Sequence, residues 1–231
     1  MKKELLLFIS SNYWRINKDL LQDKYNLFDE IKILTENDLD DYIKPIVDNN
    51  IEKYGIRGYG YWIWKPYIIL QELNKLEEGD ILVHLDVHCD LRVVKNMFND
   101  ILDKLNNQYI LLGIAGTNEY MYTTTKLRKY IEKQLNYTFT DKELKQWQYE
   151  SGIQFIKNCK DSRKFIKQWF DLMLNGLDYV SDKYNKSKDN HKTFKENRHD
   201  QSVISLLYKY YKLDFYYELN YGNLHPVKIE Y

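Results

Sequence analysis

Apolar positions along the chain fall into short compact runs separated by stripes at helical spacing. Glu4–Ser10 and Glu30–Leu34 read as strands, the first followed by a polar segment from Ser11-Asn12-Tyr13-Trp14. Asn37–Lys53 has helical spacing that Pro45 could break. Pro66–Leu76 predicts a helix with proline in its first turn, where a missing N–H is harmless, and Ile69, Leu73 and Leu76 on one face. After the turn Glu78-Gly79-Asp80, Ile81–Leu85 predicts a short strand. Val93–Leu105 carries the stripe Val94, Met97, Phe98, Ile101, Leu102, Leu105 of an amphipathic helix, and Tyr109–Gly113 follows as a strand. Further on, Thr140-x-x-Glu143 is a capping box, Gly152–Lys157 a strand, and Asp161–Leu177 a helix burying Phe165, Trp169, Leu172 and Met173. Ser181–Asn197 is polar and aperiodic, which predicts a mobile loop. Asp200–Tyr210 returns to helix and Leu213–Tyr217 to strand. This alternation predicts an α/β fold with parallel strands at the centre of its sheet. No internal repeat or long linker divides the chain, so a single domain over 1–231 is expected.

Composition narrows the functional classes. The 34 basic and 34 acidic residues cancel, which argues against a broad basic face for nucleic acid or an anionic membrane but leaves room for a local cationic site. With two cysteines and no CxxC, a disulfide framework is not expected and a reducing, cytoplasmic setting fits. The apolar run Leu5 to Ile9 is short for a signal peptide, and a membrane span needs about 20 apolar residues. No span is expected, with peripheral association left open. The 22 tyrosines and 5 tryptophans could supply flat faces for sugar rings, or simply reflect a bias shared with the abundant Lys, Asn and Ile.

Chemistry concentrates at Gly79-Asp80-Ile81-Leu82-Val83-His84-Leu85-Asp86-Val87-His88-Cys89-Asp90, an apolar strand running into acidic residues. Ligands of open α/β sheets bind beyond the carboxyl ends of strands. Asp86, His88 and Asp90 would share a face in extended chain, and carboxylate with imidazole suits a divalent ion such as Mn²⁺ or Mg²⁺. Such acids also open turns and cap helices without any ligand.

The stretch Arg57-Gly58-Tyr59-Gly60-Tyr61-Trp62-Ile63-Trp64-Lys65-Pro66, then Gly79-Asp80-Ile81-Leu82 with Leu85-Asp86, then His199-Asp200-Gln201-Ser202, resembles three blocks of small glycosyltransferases linked to capsule and surface polysaccharide synthesis. The resemblance spans about residues 57 to 202. It implies a GT-A fold, a Rossmann-like domain with a mixed central sheet, in which residues 1–115 form the nucleotide-binding half and 116–231 the acceptor-side half. It also implies a nucleotide-diphosphate sugar as donor, a glycan or lipid-linked saccharide as acceptor, a transferred hexose, and a metal. One departure stands out: the third position of the DxD-like turn is His88 rather than Asp, with Asp90 two further on.

Residue roles follow. Lys65 opens a helix, where the dipole favours anions, and Arg57 precedes glycines that permit close backbone approach; both could offset a diphosphate, or be surface charges. Trp62 and Trp64 suit core anchors. Asp86 and His88 are expected metal ligands, joined by His225 of Gly222-x-x-His225-Pro226-x-Lys228, with Lys228 on the diphosphate as the resemblance implies. Glu150, before Ser151-Gly152, could bind sugar hydroxyls or act as a base, and Asp200 could act at the acceptor or reacting sugar, or serve only as an N-cap. Two other classes compete. One is a non-catalytic sugar- or nucleotide-binding protein with a degenerate motif, which would bind donor without turnover. The other is a metal-dependent phosphoesterase built on Asp86, His88, Asp90 and His199, which would hydrolyse a phosphodiester.

Overall fold

The computed structural model describes residues 1–10, 27–87, 89, 98–213 and 216–217. The chain forms an α/β structure on a six-stranded mixed sheet: β1 (Lys3–Ile9), β2 (Glu30–Thr35), β3 (Ile81–Leu85), β4 (Ile110–Asn118), β5 (Trp147–Lys157) and β6 (Tyr216–Tyr217), in the order β2-β1-β3-β5-β4-β6. The pairs β1/β2, β1/β3 and β4/β6 are parallel, and β5 runs antiparallel to both β3 and β4. The carboxyl ends of β3 and β4 therefore lie at the same edge, with β5 between them.

Side-chain alternation separates two cores. Leu6, Phe8, Leu82, Leu112 and Ile156 face one side, Leu5, Leu7, Val83, Leu111 and Phe155 the other. The first face is covered by α1 (Ile43–Tyr54), α2 (Trp64–Leu73), α4 (Thr125–Leu135), α5 (Lys160–Asn175) and α6 (His199–Tyr210); the second is met by α3 (Phe98–Lys104).

Several predicted boundaries move for identifiable reasons. Asn37–Lys53 is not one helix: Thr35 caps a short 3₁₀ turn over Glu36–Asp38, and α1 begins at Ile43, so Pro45 sits harmlessly in its first turn. Pro66 likewise lies in the first turn of α2. Only Phe98–Lys104 of the helix expected at Val93–Leu105 lies among helical described residues, and 93–97 lie outside the described ones. The capping box at Thr140 forms, with Glu143 N–H donating to Thr140 Oγ1 (3.2 Å) and Thr140 N–H to Glu143 Oε2 (2.7 Å). Strand β5 starts at Trp147, not Gly152. The 181–197 segment is a loop, but a tethered one: Asn197 Nδ2 donates to Val180 O (2.8 Å), Lys195 N–H to Met121 O (2.8 Å) and Thr125 N–H to Asn190 Oδ1 (3.0 Å). No helix among the described residues is long and apolar enough to cross a membrane.

Candidate active site

Strand β3 delivers Asp86 one residue beyond its end, and the backbone fixes it there: Asp86 N–H donates to Gly152 O (2.8 Å) and Cys89 N–H to Asp86 O (2.8 Å). Gly152 is where β5 comes closest. A Cβ there would stand 3.3 Å from Cys89 Sγ and 3.4 Å from Asp86 Oδ2, so a side chain there would press lightly on Cys89 and fill the space against the carboxylate.

Lys65, from the first turn of α2, reaches the same point. Its Nζ lies 2.9 and 3.0 Å from the two oxygens of Asp86 and 3.0 Å from Asp200 Oδ2. The Lys65 side chain is 1% exposed, that of Asp200 6% and that of Asp86 15%, so one ammonium joins two carboxylates with only Asp86 reaching solvent. Burial works against the charged Lys65, but Asp200 and Asp86 outweigh it and hold its pKa above the ordinary lysine range. The expected diphosphate contact of Lys65 thus gives way to an internal one: its ammonium donates to Asp86 Oδ2 and lies at ion-pair distance from Asp86 Oδ1 and Asp200 Oδ2, the last of which is buried and accepts no hydrogen bond. Asp200 is not an N-cap either: Arg198 holds that position, and Asp200 lies inside the first turn of α6.

Beneath this cluster lies His84, two residues before Asp86 on the same face of β3, with Nε2 3.9 Å from Asp86 Oδ1. Its two ring nitrogens are buried and make no hydrogen bond. Burial, reinforced by Lys65, lowers its pKa well below the ordinary value, so it is neutral.

Glu150 occupies an irregularity in β5. Leu112 pairs with Gln154 and Ile114 with Tyr149, so between these pairs one residue on β4, Gly113, stands against four on β5, Glu150, Ser151, Gly152 and Ile153. Such bulges re-aim side chains next to active sites. Burial raises the Glu150 carboxyl to about 7, with the Arg198 guanidinium opposing the shift and the Asp86 carboxylate adding to it. Glu150 therefore lies within the electrostatic reach of Arg198 and Asp86 and is balanced between acid and base near neutral pH.

The Arg57–Trp62 stretch forms one turn of left-handed helix. Gly58, Tyr59, Gly60, Tyr61 and Trp62 have φ of 56°, 49°, 83°, 60° and 57°, closed by Tyr61 N–H to Arg57 O (2.8 Å) and Trp62 N–H to Gly58 O (3.0 Å). Each non-glycine residue there costs about 1–2 kcal/mol. The turn holds His199, itself at φ 53°: Trp62 stacks on its ring (5.4 Å, 16°) and Tyr61 meets it edge-on (5.0 Å, 79°). His199 Nδ1 bonds Val180 O (2.7 Å), and burial lowers its pKa. Trp64 is the core anchor of the pair, stacked on Phe8 at 4.0 Å. Arg57 lies at the exposed rim, its Nη1 3.0 Å from Asp182 Oδ2.

Of the predicted site residues, Lys65, Asp86 and Asp200 meet directly, Glu150 sits within electrostatic reach of Asp86, and Arg57 is bound to Asp182 beside them. His88, His225, Lys228 and Asp90 lie outside the described residues. Among the described residues no group of three or more His, Cys, Asp or Glu could hold a metal. Asp86 itself suits a hard cation, since it reaches solvent and belongs to a cluster with one positive and two negative charges. Sequence reasoning missed the buried His84 and Arg198. An isolated histidine inside an apolar strand and an arginine at a loop end carry no pattern that marks them.

No family model matches the chain, and no curated protein matches it. Among solved structures, apo mouse xyloside xylosyltransferase 1 is similar at 12% identity over 95% of this chain and 85% of that one, with a TM-score of 0.43, too slight a likeness to assign a fold.

Proposed function

We propose that the protein is a glycosyltransferase of GT-A type that moves a hexose from a nucleotide-diphosphate sugar to a glycan or lipid-linked acceptor. One observation carries this reading. The three sequence blocks that resemble polysaccharide glycosyltransferases each contribute one charged residue, Lys65, Asp86 and Asp200, to a single ionic cluster at the carboxyl end of β3. Ligands of open α/β sheets bind at that edge.

In this mechanism Glu150 takes the proton from the acceptor hydroxyl. The hydroxyl oxygen bonds to the anomeric carbon as the bond from that carbon to the diphosphate oxygen breaks, and the nucleoside diphosphate leaves with the electron pair. A carboxyl titrating near 7 is suited to this at neutral pH. A divalent ion held by Asp86, with His88 and His225 as its further expected ligands, would supply charge stabilisation for the departing diphosphate. Lys65 and Asp200 act as positioning residues that hold the Asp86 carboxylate in one orientation. The phosphoesterase alternative is disfavoured by His199, one of its expected ligands, whose Nδ1 bonds Val180 O and whose ring is held by Trp62 and Tyr61.

The test is a thermal-shift screen of UDP, GDP, CDP and ADP with and without Mn²⁺. A ligand at about 100 times its Kd adds about 2.7 kcal/mol of stability. Stabilisation by at least one diphosphate, stronger with Mn²⁺ and weakened in Asp86→Ala, is expected. Failure of all four to bind the parent protein would overturn the reading.

A further inference from the structure

Arg198 is a cation for which the mechanism above has no use. Its guanidinium carbon stands 4.1 Å from the Tyr122 ring centroid, and Lys195 Nζ lies 6.0 Å from the same ring. Among the described residues neither cation meets a carboxylate at ion-pair distance, whereas Lys65 and Arg57 are both committed to protein carboxylates. The arginine is also held in place. Its N–H donates to Tyr122 O (3.0 Å) and to Ser202 Oγ (3.3 Å), and it immediately precedes His199 and Asp200. A guanidinium seated over an aromatic ring on a fixed backbone, with no carboxylate on its fork among the described residues, suits recognition of an oxyanion.

Sheet order says on which side of the chemistry this cation lies. Across the sheet, β3 ends at Asp86, β5 carries Glu150 and β4 leads into Tyr122. Asp86 marks the side of the proposed donor diphosphate. Arg198 and Lys195 gather on Tyr122 after β4, and Arg198 lies within electrostatic reach of Glu150, the base proposed to meet the acceptor hydroxyl.

We propose that Arg198, supported by Tyr122 and Lys195, binds an oxyanion carried by the acceptor, either a phosphate or a sugar carboxylate, close to the hydroxyl that is glycosylated. This inference rests on the glycosyltransferase reading, but it can fail separately. The shared chemistry is an anionic group on a saccharide, and two probes distinguish its sources: a hexose phosphate and a hexuronate, each compared with the neutral methyl hexoside by chemical-shift titration at low salt.

The parent protein should bind one of the anionic sugars about ten- to a hundredfold more tightly than the neutral one, as a charge-assisted contact implies. Arg198→Met should abolish that preference and Arg198→Lys retain part of it. Lys195→Gln, at an exposed position, should weaken it by a smaller factor. Nucleoside diphosphate binding is measured on the same variants. If Arg198→Met keeps its diphosphate affinity and loses only the preference among sugars, the assignment stands. Loss of diphosphate affinity would move Arg198 to the donor and overturn it, as would a parent without preference or a preference that survives Arg198→Met. Absence of any diphosphate binding in the parent would instead count against the glycosyltransferase reading, leaving the sugar titration to decide whether Arg198 holds an oxyanion.

Discussion

At the scale of single residues, Lys65 and Glu150 have opposite electrostatic fates. Lys65 is buried and paired twice, so removing its charge leaves Asp86 and Asp200 facing each other without a cation. Breaking a buried ion pair from one side costs about 3–5 kcal/mol. Lys65→Met should therefore lower stability by that order in urea melts, and Asp200→Asn added to it should restore a part. A variant as stable as the parent would show that the cluster carries no structural charge. Glu150 is destabilised by its own ionisation. Its carboxyl is raised by burial to about 7, while an unfolded glutamate titrates at about 4.3. Between those values the folded state holds the extra proton, so this residue's contribution to stability falls as pH rises through the window and is lost above it. Glu150→Gln should thus raise Tm relative to the parent more at pH 8 than at pH 4. Transfer should show the same group from its other side. The parent's kcat/KM should rise with pH through about 7, and Glu150→Gln should remove that limb and lose about 10²–10⁴-fold in rate.

At the scale of elements, the left-handed turn is the least ordinary piece of the chain, and it is held by glycines of unequal importance. At Gly58 a Cβ would stand 2.3 Å from the Trp62 ring, whereas at Gly55, also at positive φ, nothing lies within 4 Å. Gly55→Ala should cost backbone strain alone, about 1–3 kcal/mol at its φ of 93° and ψ of 170°. Gly58→Ala must displace Trp62 from His199 and should cost clearly more, with a change in tryptophan fluorescence that Gly55→Ala lacks. An unchanged tryptophan fluorescence in Gly58→Ala would mean that the Trp62 contact contributes nothing. Element by element, legibility in the sequence tracked how local the determinants are. β3 and its closing Asp86 were readable because a Gly-Asp turn bounds a plain apolar run. The capping box at Thr140 was readable because its two bonds span three residues. The start of β5 was not, since Glu150 and Ser151 interrupt the alternation and the strand resumes behind the bulge only because β4 and α6 hold it. The Gly-Tyr-Gly-Tyr-Trp stretch announced something unusual, but a left-handed turn needs the tertiary contacts that stabilise it. Lys65, Asp86 and Asp200 were each noticed, yet their meeting at one point depends on the packing of α2 against β3 and of α6 against β5, which no spacing encodes.

At the scale of the whole molecule, the position of Glu150 relative to Asp200 rests on a buried polar network linking the end of β4, the start of β5 and α6. Glu119 Oε1 pairs with Lys209 Nζ at 2.9 Å, with side chains 1% and 2% exposed, and also accepts from Ser205 Oγ. Lys209 donates onward to Trp147 O (2.6 Å), Thr123 Oγ1 to Glu119 Oε2 (2.8 Å), and Gln201 Nε2 to Gln148 Oε1 (2.7 Å). Ser205 Oγ also takes the Tyr149 N–H (2.9 Å), one residue before Glu150. The network thus supports β5 from α6 where the bulge has withdrawn its bonds to β4, and α6 is the helix whose first turn carries Asp200. Lys209→Met leaves Glu119 buried and unpaired, and Glu119→Gln leaves the Lys209 ammonium in the same position, so each should cost about 3–5 kcal/mol. The double variant removes both charges, while the glutamine keeps an oxygen for one of Thr123 and Ser205 and turns its amide toward the other hydroxyl. It should be more stable than the sum of the single losses implies, by about 0.5–3 kcal/mol, the coupling of residues in one network. If the network also sets the alignment of β5 on α6, the double variant should recover stability without recovering transfer, because Gln in place of Glu119 and Met in place of Lys209 no longer tie Trp147 and Tyr149 to the helix in the same geometry. Strict additivity in the urea-melt cycle would show that the pair acts as two independent groups. Full recovery of kcat alongside stability would show that Glu150 is positioned by the β3 side of the sheet alone.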